Sequence, residues 1–344
     1  MEQNFILTDI MKTGYNPSLH DFLSYQTLPN QNFDFDEQYY RLHLRDLTKY
    51  QRKFACLFPT PRLYRSTEFC EDLNKRISKL ISLGFKLIIT EPWESKDTIL
   101  KNLNTLHIEQ QNYTIWSGDA SWFWFIMYDR YKNKDLKFDH SKKIFDFFYL
   151  NKNPRTHRVI LFNQMVSNGL LNNSLYTFTS KGIKLDKEYE LPWAPIPYPE
   201  RGMDQDIYEL PYNHSAYNIV SETHTHDEIF MTEKIWKPII ARQIFVVHGK
   251  QHYLKDLQEL GFQTFGNIFD ESYDAEADDN KRIEKIVDLC KWLKKQNHQQ
   301  LYKKTESIRK HNLEHFFNRK ALEPVINKTL LGLLEFFDSS QVSS

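Results

Sequence analysis

The chain has 344 residues, enough for two domains of ordinary size, each with its own core. Its 45 Lys and Arg balance its 45 Asp and Glu, so no global field draws in nucleic acid or an anionic membrane, and any such partner must be held locally. The three cysteines, Cys56, Cys70 and Cys290, stand far apart with no C-x-x-C pair, which excludes a disulfide scaffold.

The opening MEQNFILTDI carries an acid where a secretory leader has a basic region, and the longest apolar run, Trp122 to Tyr128, is far short of a membrane span. The expectation is a cytoplasmic protein. NFILTDI reads as a first strand. Behind it, Lys49, Arg52, Lys53, Arg62 and Arg65 interleave with Tyr50, Phe54, Phe58 and Tyr64, the composition of a surface that grips a nucleic-acid backbone. Neighbouring acids and zero net charge favour a solvated helix there instead.

From Ser66 to Leu83 the apolar residues Phe69, Leu73, Ile77, Leu80 and Ile81 recur at helical spacing, and Gly84 stands where a left-handed cap belongs. FKLIIT, Phe85 to Thr90, is then a buried strand that delivers Glu91 to a loop. NYTIWSGDA reads as a second strand ending near Asp119, and SWFWFIMYD as a third ending at Asp129. Glu91 and Asp119 are candidates for a general base at the mouth of an N-terminal domain, with Asp119 preferred because Gly118 lets a ligand approach the backbone. For each, the competing reading, a loop acid or helix cap, is individually the stronger.

A new domain begins near Ser141, dividing the chain into an acceptor-side α/β domain over 1–140, a donor-binding domain over 141–320 and a C-terminal helix and tail over 321–344. It opens with a strand over Ile144 to Leu150, a loop NKNPRTHR and a helix from about Thr156. The turn carries Arg155, His157 and Arg158 but no glycine-rich fingerprint, which disfavours a dehydrogenase or a P-loop enzyme. After the strand LYTFTS, an insert from Lys181 to His214 holds five prolines, and its Trp193, Tyr198 and Tyr208 suit an acceptor sugar or a base, or a well-filled surface loop. Asp204 to Asp206 mimic a metal-binding acid pair but follow no strand. His224, His226, Asp227 and Glu228 form the strongest apparent metal cluster; an H-x-H pair supplies two ligands where zinc needs three or four, so no metal is expected.

The decisive stretch is SETHTHDEIFMTEKIWKP, Ser221 to Pro238, between the strands Tyr217 to Glu222 and Gln243 to Gly249. Thr232 is a helix N-cap, so Glu233 and Lys234 fall in a first turn where free N–H groups and the helix dipole favour an anion. Lys234 adds a full charge. Glu233 is suited to accept hydrogen bonds from ribose hydroxyls, and Glu222 falls at a strand's carboxyl end, where open α/β sheets bind ligands. The competing reading is a solvated Glu–Lys pair on a helix surface.

SE…FMTEKIWKPIIARQIFVVHG resembles the donor-binding segment of the alpha-1,3-fucosyltransferases and their bacterial and phage relatives. The resemblance covers about the C-terminal half, and Ser221 and Thr223 depart from the family's Phe-Glu-Asn. It implies two Rossmann-like α/β domains facing a cleft, the GT-B-like arrangement, with a C-terminal helix crossing back. It also places Glu233 on the nucleotide ribose, Lys234 on the donor phosphates, Phe230 at an aromatic position and Arg155 or Arg158 near the phosphates, with His157 on the diphosphate or capping its helix.

Beyond this block, Gln251 to Leu260 reads as a helix closed by Gly261, FQTF as a short strand, and FDESYDAEADDN as a solvated acidic loop with Asp270 and Glu271 nearest the cleft. Arg282 to Lys295 and His298 to Phe317 read as two amphipathic helices, and 321–337 as the last. The expected function is an inverting, metal-independent glycosyltransferase that moves a sugar from a nucleotide-sugar donor, of which a GDP-linked sugar is one form, to a carbohydrate hydroxyl, with no cofactor beyond the donor. The alternatives are a sugar transferase acting on modified DNA bases and a non-catalytic sugar or nucleotide binder.

Overall fold

The computed structural model describes residues 4–9, 52–57, 78, 81–82, 85–90, 96–116, 120–186, 189, 206–225 and 231–325. They fall into two units, one within residues 4–116 and the other from residue 120 to 325. Both are α/β with parallel sheets.

The first unit is a four-stranded parallel sheet of β1 (Asn4–Asp9), β2 (Arg52–Leu57), β3 (Phe85–Thr90) and β4 (Tyr113–Trp116), in that order. The helix α1 (Lys96–Thr105) connects β3 to β4. RKFACL is therefore a strand paired on both sides, not the solvated helix expected around Lys49 to Arg65. Its apolar second half, together with pairing to β1 and β3, overrides the charged start. Residues 78 and 81–82 are helical, as the periodicity predicts; Gly84 and the rest of the basic cluster lie outside the described residues.

The second unit opens with α2 (Ala120–Tyr131), where a strand was expected over SWFWFIMYD. A short run that is apolar all round carries no period to separate a strand from a buried helix. Tertiary contact decides for the helix: Trp124, fully buried, stacks 5.6 Å from Trp236, meets Phe262 edge-on at 4.9 Å and donates its indole N–H to the Phe316 carbonyl at 2.9 Å. Asp129 consequently ends no strand and pairs with Lys132 in the last turn.

The sheet of this unit is built from β5 (Phe145–Asn151), followed by α3 (Thr156–Ser167), and β6 (Leu175–Phe178). The short α4 (Glu209–His214) then leads into β7 (Ser215–Ser221), α5 (Glu233–Ile240) and β8 (Ile244–His248). All pairs are parallel in the order β6-β5-β7-β8. β7 and β8 are buried at every position, the near-continuous apolar pattern of a parallel sheet covered on both faces. On one face Phe148 meets Tyr212 of α4 edge-on at 5.0 Å; on the other Tyr149 lies against Phe162 of α3.

The chain continues through α6 (Tyr253–Glu259), α7 (Asp279–Lys294), α8 (His298–Lys304) and α9 (Glu306–Phe316). FQTF is irregular rather than a strand. Its backbone groups are satisfied by side chains: Asn312 accepts from the Gln263 N–H and donates to its carbonyl, and Glu271 accepts from the Phe265 N–H. That also corrects the reading of Glu271, which turns inward and is pushed up to about 7 by burial. The helix expected over His298 to Phe317 is two, broken at the fully buried Thr305, whose hydroxyl bonds back to the Leu301 carbonyl. Residues 319–325 are helical again. Among the described residues no helix is long and apolar enough to cross a membrane.

Candidate functional site

In the order β6-β5-β7-β8 the chain moves to one side after β5 and to the other with β7, so the sheet has a switch point between those strands. Crevices at such points, at the carboxyl ends of the strands, are where open α/β sheets bind ligands. Both flanking helices start here. α3 begins without a side-chain cap, and no acid occupies its first turn. α5 is capped by Thr232, whose extended backbone lets its hydroxyl accept the Lys234 N–H.

Glu222 ties this corner together. Its carboxylate is fully buried; Oε1 accepts from the Thr232 N–H at 3.1 Å and the Tyr253 hydroxyl at 2.9 Å, and Oε2 accepts from the Thr232 hydroxyl at 2.7 Å. Burial raises its pKa, against the charge of Lys234 and the hydrogen bonds of Thr232. A group so enclosed positions the N-cap of α5 rather than touching a ligand. Arg158 is spent in the same way: at 4% exposure it donates to the carbonyls of Ser221 and Glu222 at 3.1 and 3.0 Å and reaches the Thr223 hydroxyl at 3.5 Å. His157 donates Nε2–H to the Glu222 carbonyl at 3.0 Å, and burial first, then His248, drop its pKa to about 3, so it is neutral. The first turns of α3 and α5 thus converge on Glu222 and Thr223.

Lys234 is the open cation at this point. Its ammonium is 2.8 Å from Glu233 Oε1, 2.9 Å from Thr232 Oγ1 and 3.4 Å from Thr223 Oγ1, with 27% of the side chain exposed. Neighbours one apart on a helix do not ordinarily face each other; the pair forms because Lys234 folds back over the helix N-terminus. For Glu233 burial works upward, but Lys234 and Lys237 outweigh it and hold the carboxyl below its ordinary value. The pair is therefore not the solvated one of a helix surface: Glu233 is 7% exposed.

Arg155 is the N-cap of α3 at the rim of the same turn. His224 is half-buried in the loop after β7. Phe230, Glu91, Asp119, His226, Asp227, Glu228, Trp193 and Tyr198 lie outside the described residues. Asp206 is engaged with Arg130. No group of three or more His, Cys, Asp or Glu among the described residues is placed to hold a metal ion.

The chain was compared with protein-family models, with curated proteins and with solved structures. None matches.

Sequence reasoning passed over a row of polar residues at the strand ends. Ser221 is in register with His248, and the pairing of Tyr149 with Ile219 carries Asn151 opposite Ser221 two residues on. The three are 1%, 0% and 3% exposed. Ser221 Oγ, His248 Nδ1 and both polar side-chain atoms of Asn151 have no partner in good hydrogen-bond geometry, although Asn151 and Ser221 lie close enough to the Tyr149 hydroxyl to oppose the upward push of burial on it. His248 is held through Nε2, 3.0 Å from Asp279 Oδ1 at the start of α7. The available signal was a polar residue closing each of three apolar strands, FDFFYLN, SAYNIVS and IFVVH. Polar atoms buried at that depth demand partners.

Proposed function

We propose that the second unit binds a nucleoside diphosphate sugar at the carboxyl ends of β5 and β7, and that the chain is a glycosyltransferase acting on a carbohydrate hydroxyl. The observation that carries this is the convergence of two helix first turns and the Lys234 ammonium on Thr223 at the switch point of a parallel sheet. In the free protein Lys234 is paired with Glu233; on binding, the ammonium turns to the diphosphate and leaves Glu233 to accept from the ribose hydroxyls. Glu222 and Arg158 hold the cap and the strand end in place.

As the glycosidic bond breaks, negative charge builds on the leaving diphosphate. Lys234 and the N–H groups opening α3, which has no side-chain cap, are preorganised to receive it, which lowers the barrier only to the extent that their contacts strengthen in the transition state. In this reading the first unit carries the acceptor in a GT-B-like arrangement; Glu91 or Asp119 takes the hydroxyl proton as the oxygen bonds to the sugar carbon from the face opposite the departing diphosphate, and that single displacement inverts the configuration. The sequence likeness to the fucosyltransferase segment supports the donor class. The test is turnover against a panel of nucleotide sugars in excess chelator; activity that vanishes there and returns with manganese contradicts the mechanism.

A further inference from the structure

At the other end of the same sheet, before β5 and after α5, cations collect with no carboxylate in ion-pair contact among the described residues. Lys143 donates to His140 Nδ1 at 2.7 Å and to the Tyr212 carbonyl at 2.9 Å, and its ammonium stands 4.8 Å from the centre of the Tyr302 ring. The buried Arg309 guanidinium lies over the same ring at 4.3 Å and donates to the carbonyls of Arg242 and Tyr302 at 2.9 and 2.7 Å and to the Thr305 hydroxyl at 3.2 Å, so it contributes charge from behind rather than a free donor. Arg242 closes α5 as its left-handed cap, φ +51°, with its own N–H on the Ile239 carbonyl and the Gln243 N–H on the Pro238 carbonyl, and its guanidinium reaches the Phe138 carbonyl at 3.2 Å. Among the described residues no carboxylate comes within 4.0 Å of Lys143, Arg242 or Arg309. Asp139, the acid whose charge acts on Lys143, accepts from the Ser141 N–H at 2.8 Å instead of pairing with it.

Buried or half-buried cations are ordinarily paired, because leaving water without a counter-charge is costly. Here like charges are pressed together around one aromatic ring. Lys143, His140 and Arg242 are each partly open to solvent, so the cluster can be reached from outside. We propose that Lys143, Arg242 and Arg309 form a binding site for a small oxyanion, a free phosphate or the terminal phosphate of a larger molecule, separate from the site at the strand carboxyl ends. The anion supplies the missing negative charge, accepts from the Lys143 amine and the Arg242 guanidinium, and is held from behind by the charge of the buried Arg309.

The titration of the cluster gives this a signature. Burial first, then Arg309, lowers Lys143 to about 7, with Asp139 opposing. His140 is lowered to about 3 by burial, then by Lys143, Arg309 and Arg242, and stays neutral. Glu306 faces Arg309 from the same helix and Tyr302 contributes only its ring face to Lys143. A pH step across neutrality therefore changes the charge of Lys143, and anion binding must weaken as pH rises through it.

The experiment is titration calorimetry of the full chain with sulfate, which keeps its charge over this range, at about pH 6 and about pH 8.5. The native protein should bind sulfate at the lower pH and about tenfold more weakly at the higher one. Measured in a Lys234→Ala background, which removes the phosphate ligand of the strand-end site, sulfate should still bind, and adding Lys143→Gln should cost at least about tenfold in affinity and the pH dependence with it. Arg242→Gly should also lose affinity. It relieves the left-handed backbone and so should fold at least as stably, separating loss of the site from loss of the fold. Phenyl phosphate binding at least as tightly as orthophosphate marks the terminus of a larger molecule, and weaker binding marks the free ion. No sulfate binding at the lower pH, or binding that Lys143→Gln and Arg242→Gly leave intact, overturns the proposal.

Discussion

Replacing Glu222 by Gln keeps shape and volume and changes only hydrogen-bond sense and charge. The native carboxylate receives three donors, two from Thr232 and one from Tyr253, at 2.7 to 3.1 Å. An amide has one NH₂ edge, so at least one buried donor must face another donor whichever way the Gln is turned, at a cost of about 1–3 kcal/mol. The buried Arg158 also loses the carboxylate nearest to it in charge, which adds to the cost. A total of about 3 kcal/mol corresponds to a drop in Tm of roughly 6–12 °C for a domain of this size. Tyr253→Phe removes a single donor and should cost about 1 kcal/mol. Chemical denaturation of both variants checks the ordering. A Glu222→Gln protein within about 0.5 kcal/mol of the native one would refute the view that this carboxylate is the internal tie of the site.

Three further outcomes follow from the geometry. His157 and His140 are held neutral down to about pH 3, whereas in the unfolded chain they protonate near 6.5, so the unfolded state binds more protons as pH falls. Glu271, raised to about 7, works the other way with one proton, so stability should be lost below about pH 6.5 at roughly 1.4 kcal/mol per pH unit; urea denaturation showing a flat or rising profile there would contradict it. A Cβ at Gly249 would stand 2.4 Å from the Tyr253 ring, whose hydroxyl is pinned to Glu222, so Gly249→Ala should cost about 1–3 kcal/mol in thermal unfolding, and an unchanged Tm would show the ring free to move. Trp124→Ala, which empties the contact of α2 with α5 and α9, should cost about 3–5 kcal/mol, and a loss below about 1 kcal/mol would mean that α2 does not belong to the second unit.

What could be read in the sequence was whatever has a local cause. FKLIIT, IFVVH and the run before Asn151 are apolar enough to declare buried strands, and Thr232 announces the helix that it caps. Where tertiary partners decide, the sequence was mute or misleading. α2 is helical because Trp124 finds Trp236 and Phe262, and FQTF needs no strand partner because Asn312 and Glu271 satisfy its backbone. The same divide runs through the site. Arg158, His157 and Glu222 stand where the spacing put them, but burial turns them inward to carbonyls and to a cap. Asn151, Ser221 and His248 had no motif to mark them, since only the strand register sets them side by side.

The central claim is that Lys234 is a phosphate ligand and not a solvated partner of Glu233. Titration calorimetry of the native protein and Lys234→Ala with a nucleoside diphosphate and with the matching nucleoside tests it most directly. The account predicts diphosphate affinity lower by about 1.5–3 kcal/mol, at least about tenfold, with nucleoside affinity and stability nearly unchanged. Equal affinities of native and variant protein for the diphosphate would contradict it.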